Sequence, residues 1–114
     1  MSDAHDVLAE LREPTRRLRA LIPEVYSGFA HTHKAALADG ELPTKTKELI
    51  ALAIGVASHC DGCIASHARG AARAGATEQE TAEAIGVAIL MTGGPGTVYG
   101  PRAMAAFLEF HNET

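Results

Sequence analysis

The sequence predicts an all-α protein, a compact bundle of about six or seven short helices. Three observations carry that prediction. Hydrophobic residues make up 46% of the 114 positions but aromatic residues only 4%, with no Trp. The apolar content is therefore Ala, Leu, Ile and Val, whose small side chains let helices approach closely. Prolines and glycines fall where helices would start and stop, and no strand candidate survives that punctuation. A chain of this length reads as one domain, 1–114, and buries roughly two-thirds of its unfolded surface.

Residues 3–12 predict a short first helix. Pro14 starts a second, with Leu18, Leu21 and Ile22 on one side, because proline is tolerated in a first turn whose N–H groups are unpaired anyway. Pro23 ends it and opens a third, to about Ala38, closed by Asp39-Gly40. Pro43-Thr44 opens a fourth helix, which carries Lys45, Lys47 and Glu48 and then an apolar run from Leu49 to Ala57. Its β-branched residues also fit a strand, but the run continues a helical pattern with no turn signal inside it. Asp61-Gly62 breaks the pattern, and a fifth helix runs from about Cys63 to Ala74, stopped by Gly75. Thr77-Glu78-Gln79-Glu80 is a capping box that starts a sixth. Gly93-Gly94-Pro95-Gly96 reads as a loop, and a last helix runs from about Val98 or Pro101 to Phe110. Gly55 and Gly86, inside apolar helices, each cost up to about 1 kcal/mol against Ala; close helix–helix approach is the compensation. A helix apolar all round is buried on all sides. Two such helices are hard to cover in a chain this short, which predicts a homo-oligomer.

The formal charge is −4, from 14 acidic and 10 basic residues. No basic patch with interleaved aromatics is present, so a nucleic-acid partner is not expected. Arg12, Arg16, Arg17 and Arg19 form the densest basic run, which a solvated helix face explains. Met1-Ser2-Asp3-Ala4-His5-Asp6 lacks the basic and apolar regions of a signal peptide, and the run from Leu49 to Ser58 is too short to span a bilayer. The expectation is a cytoplasmic protein without a membrane partner.

Cys60 and Cys63 are the only cysteines, two residues apart. In a reducing compartment such a pair is more often redox-active or metal-binding than structural. His67, four residues after Cys63, lies one helical turn away on the same face. The chain reverses near His59–Gly62, so the fourth and fifth helices pack antiparallel. Glu48 then lies roughly 18 Å before Cys60 and His67 roughly 10 Å after it, at 1.5 Å per residue. With axes about 8–10 Å apart, two long side chains close much of the remaining gap. Carboxylate, imidazole and thiol in that order form a relay able to draw a proton off the thiol. Such a relay is needed because the thiolate is the nucleophile and a free Cys has a pKa near 8.5. Attack on a peroxide oxygen gives a sulfenic acid at Cys63. Cys60 condenses with it to a disulfide, and an external dithiol resets the pair.

Glu48, eleven intervening residues, Cys60-x-x-Cys63, three residues, then His67 resembles the alkylhydroperoxidase AhpD / carboxymuconolactone decarboxylase family, in its peroxidase-type, Cys-x-x-Cys-containing branch. Gly75-Ala76-Thr77-x-x-Glu80 and Ala84-Ile85-Gly86-Val87-Ala88 continue the likeness, which covers about 25–110. The resemblance implies an all-helical fold, assembly into homotrimers or homohexamers, and peroxiredoxin-like alkylhydroperoxidase activity. It also implies Cys63 as the peroxide-attacking thiol, Cys60 as the resolving thiol, and Glu48 and His67 as the proton relay. The partners implied are a peroxide substrate and a dithiol or thiol-protein reductant, and no cofactor is called for. One position departs from the pattern: where the best-characterised peroxidases have a histidine beside the second cysteine, this chain has Gly62. The decarboxylase branch lacks the cysteine pair.

Two alternatives stand beside this reading. Cys60, Cys63 and His67, with His59, are zinc-ligand types, although no second ligand pair completes a closed site; the protein would then be a metal-binding oligomeric module. A family member with another substrate would use Glu48 and His67 for acid–base work. Among the remaining residues, His31 and His33 are expected to face solvent, His5 and His111 show no partner, Tyr99 packs its ring in the glycine-rich loop, and Met91 and Met104 belong to the core.

Overall fold

A computed structural model describes residues 3–113; Met1, Ser2 and Thr114, and with them the start of the acidic N-terminal hexapeptide, lie outside the described residues. The described residues form six helices and no strand: α1 (Ala4–Leu21), α2 (Pro23–Leu37), α3 (Thr44–Ala57), α4 (Asp61–Arg73), α5 (Glu78–Thr92) and α6 (Gly94–His111). The fold is all-α, as the sequence predicts.

Three boundaries differ from the sequence reading. The two N-terminal helices are one, because α1 runs through Pro14. Strong helix formers flank that proline on both sides, and Glu13 before it is not an N-cap residue, so nothing there starts a new helix. Next, α4 begins at Asp61 rather than Cys63: Cys60 is its N-cap, and its sulfur accepts the Cys63 N–H at 3.2 Å. Gly62 falls inside the first turn, where it costs little. Lastly, α6 begins at Gly94. Only Gly93, at φ 69°, makes the turn, while Pro95 occupies the first helical turn. Tyr99 is therefore a helical residue and not part of a loop.

The α3–α4 hairpin is the centre of the fold. α6 packs on α4 and α5, α5 on α3, and α1 crosses α4. Leu52 and Val56 of α3, Ala68 and Ala71 of α4, and Ala103 and Phe107 of α6 are fully buried. The run of alanines on α4 lets three neighbours approach it at once. α2, by contrast, has no buried residue and packs mainly on α1 and α3. Apolar side chains remain exposed on it (Val25, Phe29) and on the outer faces of α3 (Ile50, Ile54) and α5 (Val87, Leu90, Met91). The core position expected for Met91 is thus incorrect: its side chain is 76% exposed, since α5 turns only its Thr81, Ile85 and Ala88 stripe inward.

Candidate functional site

Glu48 lies on the first turns of α3 and is buried, at 8% relative exposure. A buried carboxylate needs a partner, and the antiparallel hairpin supplies one. His67 Nδ1 and Glu48 Oε1 are 2.7 Å apart. An ionised carboxylate can only accept, which places a proton on Nδ1; Nε2 is then the acceptor whenever the ring is neutral. Room for the carboxylate comes from Gly70, one turn after His67, where any Cβ would overlap Glu48. No buried side-chain nitrogen or oxygen among the described residues lacks a partner.

Cys60 and Cys63 are joined as a disulfide, with Cα atoms 5.2 Å apart. Cys63 is exposed and Cys60 half-buried. His67 stands one turn behind Cys63 on α4, and no hydrogen bond joins them in this oxidised form. Gly55 of α3 faces the Cys63 Cβ, at 3.4 Å from where its own Cβ would be, so the bare backbone lets α3 close against the disulfide.

Several residues that the sequence leaves without a role have partners. His33 of α2 does not simply face solvent: its ring stacks on that of His67, centroids 5.9 Å apart at 18°. His59 lies at φ 53°, and its ring stacks on Tyr99 at 4.5 Å and 11°, with the Arg102 guanidinium 4.8 Å from the same tyrosine ring. His59 and Tyr99 line a cavity of about 730 Å³ between α1, α4 and α6, floored by Ile64 and Ala106. His5 has partners as well. Its Nδ1 is 2.7 Å from Glu109, its Nε2 is 2.6 Å from Glu113, and its ring rests on Phe110. The hydrogen bond to Glu109, with help from Glu113, raises the His5 pKa above its ordinary value. Glu109 also accepts the Ala4 and His5 N–H groups at the start of α1. His111 stacks on Phe107. Apart from Tyr99–Arg102 and Phe107–His111, neighbours on α6, these contacts join residues far apart in sequence, up to 105 positions, which no local pattern reveals.

In this structure the two cysteines are tied up in the disulfide. Among the described residues, the group of His, Cys, Asp and Glu side chains close enough to share an ion is Asp3, His5 and Glu109, and it includes neither cysteine nor His67. No helix among the described residues is long and apolar enough to cross a membrane.

Comparison with known proteins agrees with this architecture. The model of the carboxymuconolactone decarboxylase family matches residues 23–111. An uncharacterized protein of Cupriavidus necator is 41% identical over 105 residues, covering 90% of this chain and 93% of that protein. An uncharacterized protein of the cox locus of Paracoccus denitrificans is 37% identical over 95 residues, covering 83% of each. The apo crystal structure of a carboxymuconolactone decarboxylase family protein from Legionella pneumophila superposes with a TM-score of 0.91 at 38% identity, covering 95% of this chain and 96% of that one. A Burkholderia xenovorans LB400 structure, at 24% identity and a TM-score of 0.79 over 96% of this chain and 95% of its own, shares the fold. Matched over most of its length by both sequence and structure, this chain belongs to the carboxymuconolactone decarboxylase family.

Proposed function

We propose that the protein is a thiol–disulfide oxidoreductase of alkylhydroperoxidase type, with the whole chain 1–114 as its working unit. The observation that carries this reading is the Glu48–His67 hydrogen bond standing one turn behind an exposed cysteine that is already paired with Cys60. Glu48 orients His67 and balances the imidazolium that forms when Nε2 takes the Cys63 proton. The Cys63 thiolate attacks the terminal peroxide oxygen and the O–O bond breaks. The alkoxide leaves as the alcohol with the His67 proton, and Cys63 becomes a sulfenic acid. The Cys60 thiolate attacks the Cys63 sulfur, and hydroxide leaves as water. A dithiol or thiol-protein reductant then supplies two electrons and two protons. It attacks the more exposed sulfur, Cys63, and Cys60 departs as a thiolate beside the free N–H groups of α4.

Reductant-dependent peroxide consumption tests the reading. Cys63→Ser should abolish turnover, and Cys60→Ser should stop after one equivalent with a sulfenic acid at Cys63. Full turnover by Cys63→Ser would overturn the mechanism.

Gly62 favours a second reading, a family member acting on another substrate with Glu48 and His67 as its acid–base pair. A Cβ at Gly62 would lie 3.3 Å from Leu11 of α1. A side chain at Gly62 would therefore need the Leu11 methyl group to shift by a few tenths of an ångström, and His59, the nearest histidine in sequence, is turned onto Tyr99. Peroxide consumption no faster than that of a free dithiol would favour this reading.

The exposed apolar stripes of α3 and α5 and the unburied α2 support a homotrimer or homohexamer, which light scattering on the purified protein will count.

A further inference from the structure

Three arginines gather on one side of α4. Cys63, Ser66, His67, Gly70 and Arg73 follow one another at helical i, i+3 and i+4 spacing, so they share a face. Arg69 flanks that face. A cavity of about 370 Å³ lies over it, lined by Glu48, Ser66, Arg69, Arg73 and His33. A second, of about 420 Å³, is lined by Arg12 of α1 and again by Arg69 and Arg73. The two cavities therefore meet at a ridge of two guanidinium groups.

None of Arg12, Arg69 and Arg73 has a carboxylate within 4 Å among the described residues. That is equally true of Arg17, Arg19 and Arg102; what sets Arg69 and Arg73 apart is that both line both cavities. The two acidic residues that line these cavities are already engaged: Glu48 bonds His67 and Glu113 bonds His5. Arg73, in the last turn of α4, also offsets the helix dipole, but that accounts for neither Arg69 nor Arg12. The larger cavity across α4 has the opposite character, with Asp3, Glu10, Asp61 and Glu109 against Arg102.

We propose that Arg69 and Arg73, with Arg12 beside them, hold the oxyanion of a compact organic acid or phosphate ester whose other end reaches toward Glu48 and His33, the two side chains of this cavity that contact His67. Arg73 lies about 9 Å beyond His67 along the helix, a span that suits a small molecule rather than a long chain. Planar guanidinium forks suit either a carboxylate or a phosphate. That the bound molecule is the reacting one rests on the reading of Glu48 and His67 given above; that an oxyanion binds here does not.

The test uses the oxidised, full-length protein, so no turnover is required. Succinate and inorganic phosphate are titrated separately at low ionic strength, with succinamide as the uncharged control, following the Arg Nε–H and His67 ring resonances. Saturable shifts at Arg69 and Arg73 are expected with at least one anion and not with succinamide. Succinate alone identifies a carboxylate ligand and inorganic phosphate alone a phosphate group, free or esterified. Arg69→Gln and Arg73→Gln should each weaken binding about tenfold, the order of one lost charge-assisted hydrogen bond. Arg102→Gln, which removes a charge from the other cavity, should leave it unchanged. Binding of succinamide as strong as that of succinate, unaltered affinity in the Arg69→Gln/Arg73→Gln double variant, or no saturable shift with either anion would overturn the proposal. Anion binding without peroxide consumption would leave it standing while rejecting the peroxidase reading.

Discussion

α3 and α4 end in the same backbone motif with different residues at its critical position. At the end of α3, the His59 N–H reaches Val56 O at 3.2 Å and the Cys60 N–H reaches Gly55 O at 3.1 Å. At the end of α4, the Gly75 N–H reaches Ala72 O at 3.1 Å and the Ala76 N–H reaches Ala71 O at 3.0 Å. Both are Schellman closures, which require a left-handed residue. α4 supplies a glycine at φ 86° with open space around it, and α3 supplies His59 at φ 53°. A side chain there costs about 1–2 kcal/mol. Stacking on Tyr99 returns part of that, about 0.5–1.5 kcal/mol if the imidazole behaves as other aromatic pairs do. Where the chain only turns, it uses glycine. Beside Cys60 it accepts strain and places an imidazole.

Substitutions at the two helix ends bear on that contrast. The largest effect belongs to Gly70→Ala, whose methyl group displaces the Glu48 carboxylate from His67. Leaving a buried charge without its partner should cost about 1–3 kcal/mol or more, read as a lower urea midpoint, and thiol reactivity should fall with it. Unchanged stability would mean that Glu48 has a second berth. Gly75→Ala comes next. It forces an L-residue to φ 86°, and about 1–2 kcal/mol should be lost with the rate of disulfide reduction unaltered. The smallest change in stability is expected for His59→Gly, which relieves strain and removes the Tyr99 stack together, for a net change within about 1 kcal/mol. Its rate of disulfide reduction should nevertheless change, because the residue before Cys60 loses its anchor. A stability loss as large as that of Gly75→Ala would break the contrast, since His59 would then be a structural stopper.

The parts of this molecule that were legible in the sequence are those governed by local rules. Thr77 and Glu80 form the capping box they spell, with both reciprocal hydrogen bonds present. Helical spacing with an antiparallel turn was enough to bring Glu48 to His67. The misplaced boundaries involve residues whose local meaning is double: Pro14 and Pro95 can start a helix or interrupt a chain, and Gly62 can break a helix or sit in its first turn. Three-dimensional partners stayed hidden for a different reason. His5 meets Glu109 only because α1 folds back along α6, and His33 meets His67 only because α2 crosses the open side of the hairpin. Met91 shows the limit of composition, since an apolar residue on an apolar helix can still face outward.

Cys60 caps α4 with its sulfur. In the disulfide that acceptor is neutral. After reduction it is a thiol or a thiolate, and a thiolate aimed at the free amides of a helix start binds them more tightly. Where Cys60 is the thiolate the cap is therefore stronger than where it is the thiol, and in the reduced protein amide hydrogen exchange at Cys63, corrected for its intrinsic pH dependence, should slow as the thiol ionises. By linkage, whatever steadies that turn more in the reduced form than in the disulfide also makes the disulfide easier to reduce. The backbone order of one helical turn and the redox potential of the pair are coupled through the hydrogen bond that Cys60 accepts.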